Sequence, residues 1–101
     1  MIIVTGSAVM CDETRAEMTA ISIAHSVRSR GEPGCIAHSV HVDCEDDDRL
    51  VYLEFWQDDA ALKAHFAVPE SIAFARRLGE LAEGRIAMQV HPVAGNAPGG
   101  A

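Results

Sequence analysis

The sequence predicts an α+β protein with a ferredoxin-like fold and the element order β-α-β-β-α-α-β. Four stretches are rich in β-branched, aromatic or large apolar residues, as strands are, and three repeat apolar residues at helical spacing. The acidic connection Cys44 to Asp48 is short, so the second and third strands are expected to form an antiparallel hairpin. Two crossovers around this hairpin give a four-stranded antiparallel sheet with the helices on one face.

The first half of the chain is predicted to form a strand, a helix and a second strand. Ile2 to Met10 is the first strand, and its small residues on one parity let a helix approach closely. A helix runs from a cap at Asp12 to about Arg30, where Gly31 to Gly34 ends it. Cys35 to Asp43 then alternates as the second strand. The predicted buried stripe of the helix is Ala16, Ala20, Ile23, Ala24 and Val27.

The second half contains two more strands with two helices between them. Leu50 to Trp56 is large and mostly apolar on both parities, so both of its faces are expected to be covered. Asp58 caps a short helix that ends near Val68, and Pro69 suits the first turn of the next helix, which ends near Glu83. Arg85 to Val93 is the last strand, and its proline places it at an edge of the sheet.

Length and composition indicate one globular domain at residues 1–94, followed by a flexible tail at 95–101. The hydrophobic fraction of 49% and the charged fraction of 23% exclude wholesale disorder. The net charge is −7, with 15 acidic residues against 8 basic ones. This balance argues against nucleic acid or an anionic membrane surface as a partner.

The sequence predicts a cytoplasmic protein without a metal or other cofactor. No signal peptide or membrane span is recognised, and the cysteines lack a C-x-x-C spacing. His38 and His41 point to opposite faces of their strand, so they do not chelate one ion together. The acidic run Cys44 to Asp48 lacks the spaced ligands of a calcium loop. His25 is expected to be partly exposed at the surface, and His38 and His91 are expected at the surface or in an interface.

The face of the sheet away from the helices is also expected to be apolar. The residues that suggest this are Ile3, Val9, Val51, Leu53, Phe55, Ile86 and Met88. A monomer would expose this face to water as a large apolar patch. The sequence therefore predicts a homodimer that packs sheet against sheet.

A candidate pocket lies between the third strand and the helix that follows it. Tyr52, Glu54 and Trp56 share one face of the strand, and His65 lies on the helix. In the catalytic interpretation Trp56 is an apolar wall, Tyr52 donates a hydrogen bond and His65 accepts a proton. The predicted substrate-binding residues are Ser7, Glu54, Phe66 and Phe74. In the structural interpretation Tyr52 and Trp56 fill the core and Glu54 pairs with an arginine.

The same stretch carries a family resemblance. The motif Glu54-Phe55-Trp56, four further residues, Ala61-Leu62-Lys63-Ala64-His65 and then Pro69 resembles the antibiotic biosynthesis monooxygenase domain family. The resemblance covers about Ile2 to Val93 and implies a dimeric α+β barrel. In some members the substrate anion passes an electron to molecular oxygen, with no metal or flavin. Trp56 matches their cavity tryptophan, whereas Tyr52 replaces their asparagine.

From the resemblance we expect a cofactor-independent monooxygenase that oxidises small phenolic or quinol-type compounds with O2. Two alternatives stay open at the level of the sequence. One is a non-oxidative isomerase of a small hydroxy-carbonyl metabolite, and the other is a non-catalytic dimer that binds a ligand.

Overall fold

The computed structural model describes residues 1–95 and confirms the predicted order of elements. The elements are β1 (Ile2–Val9), α1 (Arg15–Ser29), β2 (Cys35–Asp43), β3 (Asp46–Trp56), α2 (Asp59–Ala67), α3 (Pro69–Leu81) and β4 (Ile86–Pro92). From residue 96 onward, the predicted tail lies outside the described residues. Within residues 1–95 none of the helices has the length and apolar character that crossing a membrane requires.

The sheet has the strand order β2-β3-β1-β4, and each neighbouring pair is antiparallel. β4 lies at an edge, as its proline predicted, with Pro92 opposite Ile2. β3 begins at Asp46, so the acidic turn is shorter than the sequence predicted. Exposed acidic residues extend the hairpin there, and Arg49 pairs with Asp43 at 3.1 Å.

The core lies between the sheet and the helices, and alternation along the strands decides which residues enter it. The buried residues of β1 include Ile2, Val4 and Ala8, which share one parity. On β3 the buried parity is Leu50, Tyr52, Glu54 and Trp56. The predicted face of Tyr52, Glu54 and Trp56 is therefore the face that the helices cover.

The predicted buried stripe of α1 is wrong. Its five apolar residues are exposed, with Ile23 at 51% and Val27 at 57%. The buried residues of α1 are instead Met18, Ser22, His25, Ser26 and Ser29. These polar groups can be buried because the structure supplies hydrogen-bond partners, such as Tyr52 Oη for Ser22 Oγ at 2.8 Å.

The predicted position of Ile86 and Met88 on the open face of the sheet is also wrong. The register places both Met88 and Tyr52 opposite Gly6, so Met88 shares the helix side with Tyr52. Ile86 is 39% exposed and Met88 57%, because the helices leave the β4 edge partly uncovered. These side chains border the cavities described below.

A tight turn between α1 and β2 depends on Gly34. Its φ is +82°, and a Cβ atom there would lie 2.5 Å from the Cβ atom of Ala61 on α2. Its carbonyl accepts a hydrogen bond from the backbone N–H of Gln57 at 2.8 Å. The turn thus brings the end of α1 against the start of α2.

Replacing Gly34 by alanine is expected to lower the free energy of unfolding by about 2 to 4 kcal/mol, from backbone strain and the clash with Ala61. Gly84→Ala is the matched control, because φ is +77° and nothing lies within 4 Å of the added Cβ. The control should lose only the backbone part, about 1 to 2 kcal/mol. Urea denaturation of both variants measures the difference, and equal losses would contradict the close contact with Ala61.

Candidate functional site

Three buried histidines from three different elements meet in the layer between sheet and helices. We call His25 of α1, His38 of β2 and His65 of α2 the histidine cluster. Their ring centroids are 5.1, 5.2 and 5.7 Å apart. Glu54 and Trp56 of β3 lie against the cluster, with Trp56 wholly buried. The site is therefore a polar group of side chains enclosed by the core.

A carboxylate fixes the orientation of His65. Asp58 caps α2 by accepting a hydrogen bond from the N–H of Ala61 at 2.9 Å, and the helix then presents His65 to the core. His65 Nδ1 lies 2.7 Å from Glu32 Oε1. Because an ionised carboxylate can only accept a hydrogen bond, Nδ1 carries the proton and donates a hydrogen bond to Glu32. The lone pair on His65 Nε2 is left available.

Glu32 is itself held by Arg28, which connects it to the rest of the site. Arg28 donates to Glu32 Oε2 at 3.2 Å, to Ser71 Oγ at 3.3 Å and to His25 Nδ1 at 2.7 Å. The ring of His25 stacks on Phe74 of α3, with centroids 4.0 Å apart and planes 5° apart. One arginine thus joins the end of α1 to α3 and to the histidine cluster.

The predictions that place His25 and His38 at the surface are wrong. His25 is 7% exposed and His38 only 2%. His38 Nδ1 lies 2.9 Å from Ser26 Oγ, so α1 supplies a partner for the buried ring. His38 Nε2 is 3.4 Å from Glu54 Oε1 but outside hydrogen-bond geometry, and it has no partner among the described residues.

Glu54 is a buried carboxylate that its neighbours keep ionised. It accepts a hydrogen bond from Trp56 Nε1 at 2.9 Å, and His65 Nε2 lies 4.0 Å from the same oxygen. Burial alone raises the pKa of Glu54, but His38, Trp56 and His65 together lower it below its usual value. No arginine pairs with Glu54 among the described residues, where its carboxylate lies instead near the rings of His38 and His65.

Two adjoining cavities are lined both by residues of the histidine cluster and by Glu54. The larger has a volume of about 290 Å³, and the smaller about 130 Å³. Both are bordered by His25, Glu54, Phe74 and Met88. The larger is also lined by His65 and Phe66, and the smaller by Tyr52 and Gly6.

The structure brings most of the predicted site residues together. His65, Glu54, Phe66 and Phe74 line the larger cavity. Tyr52 lines only the smaller of the two, and its hydroxyl group is 2.8 Å from Ser22 Oγ. Burial raises the pKa of Tyr52, although the contact with Ser22 opposes the shift. The phenol therefore stays protonated at neutral pH.

Trp56 and Ser7 do not lie where the sequence suggested. Trp56 borders neither cavity and instead packs behind His65, with ring centroids 4.6 Å apart. Ser7 pairs with Val51 and Ala87 and belongs to the parity opposite to the buried one. Its side chain is on the open face of the sheet, so its predicted place among the residues of this pocket is wrong.

Sequence reasoning missed Arg28, Glu32, His25 and His38 as members of the site. One usable signal was the spacing of Ser22, His25, Ser26 and Ser29, which places four polar residues on one face of α1. The contact between Glu32 and His65 joins residues 33 apart in sequence and leaves no local pattern.

Comparison with known proteins places the chain in a recognised sequence family. The model of the family described as antibiotic biosynthesis monooxygenase matches residues 1–77. A Synechocystis protein described as uncharacterized, sll1783, is 29% identical over 93 residues. That match covers 92% of this chain, which spans only 63% of the length of the Synechocystis protein.

Solved structures show the same fold. A Deinococcus radiodurans protein, provisionally described as an antibiotic biosynthesis monooxygenase, has a TM-score of 0.88 and 22% identity. That match covers 96% of this chain and 95% of the other. Rv0793 from Mycobacterium tuberculosis has a TM-score of 0.85 and 22% identity, with 95% and 97% covered. At these identities the likeness concerns the fold alone.

The burial of His25 predicts a loss of stability in mild acid. Burial and the neighbouring His38, His65 and Arg28 lower the pKa of His25 to about 3, while Glu54 opposes the shift. Between this value and an unfolded pKa of about 6.5, only the unfolded chain binds the proton. The free energy of unfolding therefore falls as the pH is lowered, by at most about 1.4 kcal/mol per pH unit from this residue.

Urea denaturation of metal-free protein from pH 7 to pH 4.5 measures this slope. His25→Phe keeps an aromatic ring against Phe74 and should lose less stability over the range than the wild type. His41→Ala, at an exposed position, should follow the wild type. An unchanged slope in His25→Phe would refute the assignment to His25.

Proposed function

Because the chain belongs to the antibiotic biosynthesis monooxygenase family, we propose that it oxidises small phenolic or quinol-type compounds with O2 and without a cofactor. The observation that carries the proposal is the Glu32–His65 pair beside the larger cavity. Its 2.7 Å contact leaves His65 Nε2 ready to accept a proton, and His65 lines a cavity that aromatic side chains also line.

The size and lining of the larger cavity favour a small aromatic substrate. Ligand pockets commonly have volumes of about 300 to 1,000 Å³. At about 290 Å³ the cavity is near the lower limit, so it suits one or two rings. Phe66, Phe74 and Met88 supply apolar contacts, while Glu54 and His65 supply the polar groups.

Proton transfer to His65 is the first chemical step that we propose. The substrate hydroxyl group approaches His65 Nε2 to about 3 Å and gives up its proton. The imidazolium that forms is stabilised by its charge-assisted hydrogen bond to Glu32. Tyr52, which borders the adjoining cavity, orients a second substrate oxygen.

The resulting substrate anion then reacts with oxygen. It passes one electron to O2, and the substrate radical and superoxide combine as a peroxide. Cleavage of the O–O bond leaves one oxygen atom in the product and releases the other as water, so a quinol and O2 yield a hydroxyquinone and H2O. Glu54, whose pKa is lowered, bears a negative charge beside the cavity and favours loss of the electron.

Trp56 is a positioning residue, because its ring packs on His65 and its Nε1–H donates a hydrogen bond to Glu54.

We also propose a homodimer through the open face of the sheet, where partly exposed apolar residues of β1 and β3 lie on one parity. Ile3, Val51, Leu53 and Phe55 belong to this set.

A non-oxidative isomerase is a second candidate, favoured by the same Glu32–His65 pair. A proton acceptor with one free nitrogen can remove a proton next to a carbonyl group and return it at another carbon. This reaction consumes no oxygen, so oxygen uptake distinguishes the two candidates.

Oxygen uptake with a panel of hydroquinones and anthrone-like phenols tests the proposal. His65→Ala should lower kcat by about 10²- to 10⁴-fold, the usual contribution of a positioned general base. His41→Ala, with an exposed ring, should keep wild-type turnover. Trp56→Phe and Tyr52→Phe should lower turnover less than His65→Ala does.

Folding of each variant is checked by circular dichroism. Full oxygen uptake by folded His65→Ala would overturn the proposed role of His65. If the wild-type protein takes up no oxygen with any compound of the panel, the monooxygenase proposal is wrong, and isomerase assays follow.

A further inference from the structure

The histidine cluster has a geometry that suits a metal ion. One ligand atom from each of His25, His38 and His65 can be chosen so that all three lie within 4.8 Å of one another. The three side chains are buried and come from separate elements, so the fold holds the set together. Neutral imidazole is a common ligand of zinc and of its neighbours among the first-row metals.

His38 provides an independent indication. Its Nε2 atom is buried and has no hydrogen-bond partner among residues 1–95. Leaving a buried polar atom without a hydrogen bond destabilises a fold. The other nitrogen, Nδ1, is already bound to Ser26 Oγ at 2.9 Å. A metal ion at Nε2 would supply the partner that this buried atom lacks among the described residues.

The neighbouring carboxylates supply negative charge and hold a ligand in place. Glu54 Oε1 lies 3.4 Å from His38 Nε2 and 4.0 Å from His65 Nε2, so this carboxylate is placed to be a fourth ligand. Glu32 holds His65 at Nδ1, the carboxylate–histidine arrangement that orients many metal ligands. The positive charge of Arg28 offsets one of the two negative charges of Glu32 and Glu54. One negative charge therefore remains, and it favours the binding of a dication.

Binding requires the ligands to close around the ion. Nitrogen atoms about 2.0 to 2.1 Å from a tetrahedral zinc ion are about 3.4 Å apart. Separations of up to 4.8 Å must therefore shorten. Binding through His25 Nε2 also requires Nδ1 to carry the proton and to give up the hydrogen bond from Arg28. Arg28 keeps Glu32 and Ser71 as partners. The larger cavity, which His25, Glu54 and His65 line, gives the ion a route in.

We propose that His25, His38, His65 and Glu54 form a binding site for one divalent first-row transition-metal ion of the zinc type. Because the ion would take the lone pair of His65 Nε2, its binding would compete with proton transfer and inhibit the proposed reaction. The site depends on the geometry of these side chains and would bind the ion whether or not the proposed function is correct.

Titration of the whole 101-residue chain, free of metal, with Co²⁺ tests the site without any substrate. We expect one equivalent to bind and to give the intense visible bands of a four- or five-coordinate ion, which Zn²⁺ then displaces. His38→Ala should weaken binding at least about tenfold. His41→Ala, whose ring is exposed on the same strand, should bind as the wild type does. A spectrum identical to that of aqueous Co²⁺, or equal affinity in both variants, would overturn the proposal.

Glu32→Gln provides a second test of the site in case the His38→Ala protein does not fold. It removes the carboxylate behind His65 but none of the proposed ligands, and it should weaken Co²⁺ binding about tenfold. Unchanged affinity of a folded Glu32→Gln protein would contradict a metal ion bound to His65 and would overturn the proposed site. Failure of the Co²⁺ titration leaves oxygen uptake by the metal-free enzyme unaffected, so the two proposals fail separately.

Discussion

The hydrogen bond between His65 Nδ1 and Glu32 Oε1, 2.7 Å long, is the contact on which the site depends. It joins the turn after α1 to α2 across the end of the sheet. The same turn needs Gly34, whose missing Cβ lets α2 approach. By fixing the proton on Nδ1, the contact also decides which nitrogen of His65 is available for chemistry. One interaction thus connects the packing of two helices to the reactivity of a single atom.

The site is costly to bury, and the structure offsets the cost with partners for most of its polar groups. Arg28 donates hydrogen bonds to Glu32, His25 and Ser71, and Trp56 donates one to Glu54. A core that is polar in this way is less favourable than an apolar one unless each group is satisfied. Its presence beside two cavities is therefore better explained by function than by stability. The unpartnered nitrogen of His38 fits that explanation, because a ligand can complete it.

Much of the fold and half of the site could be predicted from the sequence, because strand alternation and helix boundaries are local. Tyr52, Glu54 and Trp56 share a face through the period of β3, and Pro69 marks the break between α2 and α3. The buried face of α1 could not be predicted, because serines and a histidine occupy the positions where an amphipathic helix normally has apolar residues. The role of Glu32 could not be predicted, because its partner His65 lies 33 residues away in the sequence.

The tautomer of His65 decides whether Nε2 can accept a proton from a substrate. Long-range ¹⁵N–¹H correlation spectra of the metal-free protein at neutral pH distinguish a protonated ring nitrogen from one that carries a lone pair. We predict a proton on Nδ1, bound to Glu32, and none on Nε2. A proton on Nε2 would mean that this nitrogen, which faces Glu54, cannot accept a proton from a substrate, and it would contradict the role of His65 as the base.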